Sequence, residues 1–140
     1  MKQALIKWGI IGCGNVTEIK SGPAYQKVPG FALHAVMRRD AALAQDYARR
    51  HHVPRFYGNA DALINDPEID AIYIATPPDS HHEYALKVAK AGKPCCIEKP
   101  MAPNYQECVE IEQAFRSKNI PLFVAYYRRS LPLAGCMKMA

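Results

Sequence analysis

At 140 residues, 49% of them hydrophobic, the chain has the size of one ordinary domain and enough apolar mass to bury a core. No apolar run approaches the roughly 18 residues of a membrane span, and Lys2 to Gly12 is too short and too poor in charge for a signal peptide, so a cytoplasmic protein with no membrane partner is expected. The formal charge of +5 favours an anionic partner, but the basic residues fall in separated pairs, Arg38-Arg39, Arg49-Arg50 and Arg128-Arg129, which argues against nucleic acid.

Leu5 to Ile11 is a short apolar run that predicts a buried strand. It ends in "GCGNVT", where Gly12 and Gly14 bring bare backbone to the head of a helix beginning at Asn15 and Val16. Thr17 stands where the third glycine of G-x-G-x-x-G would be, so this spacing alone is a weak signal. The helix is expected to reach Ser21, to break at Gly22-Pro23, and to resume through Val28 with Pro23 in its first turn. Phe31 to Met37 is a second strand, and Asp40 caps a helix whose Leu43, Ala44, Tyr47 and Ala48 share one face. Arg55 to Tyr57 is a brief third strand, followed by a short helix that Asn59 caps and that carries Leu63 and Ile64. "DAIYIATPP" is a fourth strand cut off by prolines. Ser80 and Glu83 form a capping-box pattern before a helix that buries Ala85, Val88 and Ala89 and ends at Gly92. "PCCIEKP" is a fifth strand, Asn104 with Glu107 opens a helix with Cys108, Ile111 and Phe115 inward, and "IPLFVAYY" is a sixth strand.

Strand and helix thus alternate six times, which predicts an α/β fold, a Rossmann-type doubly wound parallel sheet with helices on both faces. Ligands of such sheets sit beyond the carboxyl ends of the strands, here "GCGNVT", "MRRD", "ATPPDSHH", "IEKP" and "YYRR". A pyrophosphate on the backbone N–H groups around Gly12, Cys13 and Gly14 explains the glycines better than a tight turn alone, with Cys13 a small filler. Arg38 and Arg39 stand about where an acidic residue would grip the 2'-hydroxyl of NAD, and a guanidinium suits a phosphate instead. NADP is therefore preferred. Two solvated arginines, with Asp40 or backbone groups serving the ribose, keep NAD open. Thr76 and Pro77 end the fourth strand with main-chain atoms facing the cofactor. Five cysteines, Cys13, Cys95, Cys96, Cys108 and Cys136, are an odd number without C-x-x-C spacing, so neither a disulfide framework nor a metal site is expected.

"GCGNVTEIKSGPAYQ", "ATPPDSHHEYALKVAKAGKPCCIEKPMA" and "VAYYRR" resemble the cofactor-binding half of the Gfo/Idh/MocA oxidoreductases, the family of glucose-fructose oxidoreductase and inositol dehydrogenase. The likeness runs from about Leu5 to Pro132, and Glu98-Lys99-Pro100 is its most specific part. It implies a nicotinamide cofactor and reversible hydride transfer at an alcohol carbon of a sugar or other polyol such as a cyclitol. Glu98 and Lys99 are expected on opposite faces of the fifth strand, and the resemblance makes Lys99 the one that enters the cleft as the catalytic cation. Glu98 would orient the lysine or the ribose, the alternative for the two being a surface ion pair. His81 matches the histidine of the family's T-P-x-x-x-H run, either as a cofactor contact or as a first-turn surface residue. Tyr127 and Arg128 would close the nicotinamide end. The family also carries an α+β substrate domain, which is expected to be absent beyond the "LAGCMKMA" tail, leaving apolar surface that invites self-association. Two classes stay open: the cofactor half of an oxidoreductase, or a non-catalytic dinucleotide-binding module, a redox sensor or truncated remnant. A methyltransferase would leave "EKP" and the arginine pair unexplained.

Overall fold

The computed structural model describes residues 4–126. Their apolar runs form six strands, β1 (Ile6–Ile11), β2 (Phe31–Met37), β3 (Arg55–Tyr57), β4 (Ala71–Ile74), β5 (Cys95–Ile97) and β6 (Leu122–Val124). All pairings are parallel and the order is β3-β2-β1-β4-β5-β6. The chain winds outward in both directions from β1 and β4, which is the doubly wound arrangement, and its topological switch lies between those two strands.

Six helices make the crossovers: α1 (Asn15–Ile19), α2 (Ser21–Lys27), α3 (Ala41–Arg50), α4 (Ala60–Ile64), α5 (His81–Ala91) and α6 (Tyr105–Ser117). Local chemistry starts and stops several of them. Asp40 accepts from the N–H groups of Ala42 and Leu43, Asn59 from those of Asp61 and Ala62, and Asn104 from that of Glu107. Gly92 ends α5 in the left-handed region at φ 77°.

Side-chain alternation along each strand divides the core in two. Ile11, Ile72, Ile74 and Ile97 meet Leu63, Val88, Ile111 and Phe115 on the face of α4, α5 and α6. Trp8, Ile10, Val36 and Tyr73 meet Ala44, Tyr47 and Ala48 on the face of α3. Tyr25 of α2 packs on this second cluster, with its ring centroid 4.7 Å from that of Trp8. On β6 the side chain of Phe123 is exposed. Among the described residues no helix is long and apolar enough to cross a membrane.

Three local expectations need correction. The break between the first two helices falls at Lys20, not at Gly22-Pro23. Gly22 is buried inside α2 because its bare backbone lies against the Thr17 carbonyl and the Tyr47 hydroxyl, where a Cβ would collide with both. Ser80 does not form a capping box: Pro78–Ser80 makes a 3-10 turn, and the Ser80 hydroxyl donates back toward Thr76 Oγ1 at 2.7 Å and the Pro77 carbonyl at 2.9 Å. Leu43 is exposed, so the small residues Ala44 and Ala48 with Tyr47 form the inward face of α3.

Candidate functional site

The carboxyl ends of β1, β4 and β5 form one rim. At the end of β1, Gly12 has φ 90° and sits so close to Thr76 that a Cβ would strike both its side chain and its backbone nitrogen. The N–H groups of Gly12 and Cys13 are already spent on the Met37 carbonyl, at 2.9 and 3.2 Å, and that of Gly14 on the Gly12 carbonyl at 2.8 Å. Cys13 is buried, and burial pushes its thiol up to about 11, so it shapes the turn and carries no reactive sulfur. Asn15 and Val16, first in α1, donate none of the described backbone hydrogen bonds from their N–H groups. Gly14 faces open space, with nothing within 4 Å of an added Cβ. A phosphate group against bare backbone fits this cradle.

Thr17 fills the place of the missing third glycine without blocking the turn. Its hydroxyl donates to the Gly14 carbonyl at 2.7 Å, and its own carbonyl accepts from the Tyr47 hydroxyl at 2.8 Å. Close packing at the helix is supplied by Gly22 instead. Glu18 ties α1 to the end of α3, accepting from Arg50 at 2.6 Å with His51 at 2.7 Å, and the Arg50 hydrogen bond leads in holding this carboxyl down at about 2.

A cavity of about 1190 Å³ opens beside the turn. Gly14, Asn15, Val16, Thr76, Pro77, Glu98 and Lys99 all line it, over a floor that includes Tyr25 and Tyr73. Glu98 and Lys99 therefore share one cleft, contrary to the expectation of opposite faces. Regular pleating ends at Ile97, so strand alternation no longer governs Lys99. The two residues form no ion pair. Glu98 Oε1 accepts from the Tyr73 hydroxyl at 2.8 Å and Oε2 from the Lys99 backbone N–H at 2.9 Å. Among the described ion pairs none involves Lys99, whose side chain is left exposed toward the cleft.

His81 is fully buried, which removes the surface reading. Its Nε2 lies 2.7 Å from the Thr76 carbonyl and its Nδ1 2.9 Å from that of Pro100. His82 is partly buried beside Glu110 at 2.6 Å. Arg38 and Arg39 are exposed at the end of β2, outside the cavity and on the other side of the glycine turn from Lys99. Tyr127 and Arg128 lie outside the described residues. Among those described, no cluster of metal-ligating side chains occurs. Tyr73 is the site residue that sequence reasoning missed. The signal was available, because strand parity puts Tyr73, Cys96 and Glu98 on one face.

An open glycine turn at the switch point of a doubly wound sheet, facing a lysine on a neighbouring rim, defines a dinucleotide-binding domain of the oxidoreductase kind. Residues 6–126 match the oxidoreductase family with an NAD-binding Rossmann fold, Gfo/Idh/MocA. The chain belongs to that family and is an NAD(P)-binding domain of it. It is 48% identical over 131 residues to an oxidoreductase of Formosa agariphila, covering 94% of this chain and 41% of that protein. It is 33% identical to the trans-1,2-dihydrobenzene-1,2-diol dehydrogenase of Danio rerio, covering 91% of this chain and 38% of that one. Its fold is similar to the crystal structure of a 3-ketoreductase from Actinomadura kijaniata in complex with NADP, with TM-score 0.89, 22% identity, and coverage of 95% and 42%. The chain thus spans about two fifths of the length of these proteins.

Proposed function

We propose that this rim holds a nicotinamide dinucleotide, NADP in preference to NAD, and that Lys99 assists hydride transfer at an alcohol or carbonyl carbon of a sugar or cyclitol. The observation that carries the reading is that the open glycine turn and Lys99 line a single cavity. Gly14 leaves room for the pyrophosphate, with Asn15 and Val16 offering the N–H groups of the helix start. Arg38 and Arg39 stand at the opposite, adenosine end, where a guanidinium meets a 2'-phosphate and a carboxylate would repel it. The main chain of Thr76 and Pro77 walls the path between the two ends.

The bound nicotinamide supplies an acceptor or donor of hydride. The chain's own contribution is electrostatic. Where hydride adds to a carbonyl carbon, the Lys99 ammonium donates a hydrogen bond to the substrate oxygen and stabilises the alkoxide charge that grows there, a charge that the reverse reaction discharges as hydride leaves carbon. Glu98 acts on the backbone of Lys99 rather than on its charge, so the ammonium is not neutralised by its neighbour. The diol dehydrogenase of Danio rerio is named for a hydroxylated ring, which accords with this substrate class.

The test joins this chain to the remaining part of a longer relative and compares Lys99→Met with the parent. The single-turnover hydride rate is expected to fall about a hundredfold or more while cofactor affinity changes little. An unchanged rate would reduce Lys99 to a surface cation.

A further inference from the structure

We propose that His81 is a positioning residue: it pins the β5 rim that carries Lys99 to the β4 rim that carries Thr76 and Pro77, and contacts neither cofactor nor substrate. The inference rests on the cofactor reading above for its consequence, but its geometry stands on the fold.

The two rims separate just where the chemistry would begin. Their last described backbone hydrogen bond runs from the Glu98 N–H to the Ile74 carbonyl at 2.9 Å. Beyond it no described backbone hydrogen bond joins Ala75, Thr76 or Pro77 to Lys99, Pro100 or Met101. The imidazole of His81 spans this opening. Nε2 faces the Thr76 carbonyl at 2.7 Å, while Nδ1 faces the Pro100 carbonyl at 2.9 Å and the Met101 carbonyl at 3.3 Å. Both nitrogens are thus occupied by main-chain oxygens, and a fully buried ring has no surface left for a ligand. A neutral imidazole donates from one nitrogen and an imidazolium from both; either way the donor is aimed at a rim.

The placement is over-determined from the helix side. His81 is the first residue of α5, and the preceding Ser80 hydroxyl holds Thr76 Oγ1 and the Pro77 carbonyl. The helix start therefore grips the β4 rim twice, and the ring carries that grip across to the turn after Lys99. A displacement of about 1 Å in a reacting or positioning group is enough to cost of the order of a hundredfold in rate, so a brace of this kind sets function without touching substrate.

The test uses the chain itself with His81→Phe, which keeps a planar ring and removes the ring N–H donor, and His81→Gln, which restores an amide donor. The probes are NADPH and 2'-phospho-ADP-ribose, which lacks the nicotinamide. His81→Phe is expected to lose about tenfold in NADPH affinity with the fragment's affinity unchanged, and His81→Gln to recover part of the loss. Amide exchange at Lys99 and Met101 is expected to accelerate in His81→Phe, with Ile10 and Ile72 in the sheet staying protected. An NADPH affinity within about twofold of the parent overturns the proposal, as does an equal loss for both probes with a lowered Tm. If the parent binds neither probe, the cofactor reading fails. Exchange at Lys99 then decides on the brace alone, and unchanged protection in His81→Phe overturns it.

Discussion

Gly12 and Gly14 answer to different constraints, although both belong to the same turn. Gly12 combines φ 90° with contact against Thr76, so Gly12→Ala is expected to destabilise the fold by about 1–3 kcal/mol in urea unfolding. Gly14 has an ordinary φ of −105° and open space ahead of it. Gly14→Val should therefore leave stability within about 0.5 kcal/mol and weaken dinucleotide binding about tenfold or more. A loss of stability matching the loss of affinity would contradict this division. For Arg38 and Arg39, replacing both by Ala should weaken NADPH while sparing NADH, by about 1.5–3 kcal/mol for each well-formed charged hydrogen bond lost. The glycines' place on the rim was legible because a short motif fixes it, and that of the arginines because they follow directly on the second apolar run. The role of His81 was not, because it depends on carbonyl partners brought near only by the folded sheet, whereas the Tyr73–Glu98 pairing was there to be read from strand parity.

At the scale of elements, caps and strands follow from local sequence, which is why Asp40, Asn59 and Asn104 stand at helix starts as expected. The elbow between α1 and α2 does not, since Gly22 is dictated by Tyr47 of another helix. Gly22→Ala is accordingly expected to cost about 1–3 kcal/mol or more, against a smaller effect for Gly92→Ala, whose added Cβ meets only its own strained backbone. The Glu18 clamp between α1 and α3 gives a pH dependence. Its carboxyl is lowered from an ordinary 4.5 to about 2, so its stabilising contribution is complete above about pH 4.5 and is lost as pH falls toward 2. Asp66 behaves alike: burial opposes the shift, but Tyr57, the Glu68 N–H and Arg55 outweigh it and bring the carboxyl from 3.8 to about 2. Glu18→Gln should be less stable than the parent at neutral pH, with the difference closing near pH 2 in urea titrations. A difference independent of pH would show that the clamp contributes no charge-dependent stability.

For the whole molecule, six strand–helix alternations were enough to predict a doubly wound parallel sheet, because right-handed crossovers leave few other ways to cover one, while its order β3-β2-β1-β4-β5-β6 came only with the fold. The order then places Arg38 and Lys99 on opposite sides of the glycine turn. The substrate was not legible in the same way, because strand-end motifs mark the cofactor rim and carry no signal for the shape of a substrate. The central claim, a nicotinamide dinucleotide on this rim, is tested most directly by calorimetric titration of the folded chain with NADPH and with NADH. Saturable one-to-one binding, tighter for NADPH and abolished or strongly weakened in Gly14→Val, is the predicted result. A folded chain that binds neither dinucleotide would contradict it.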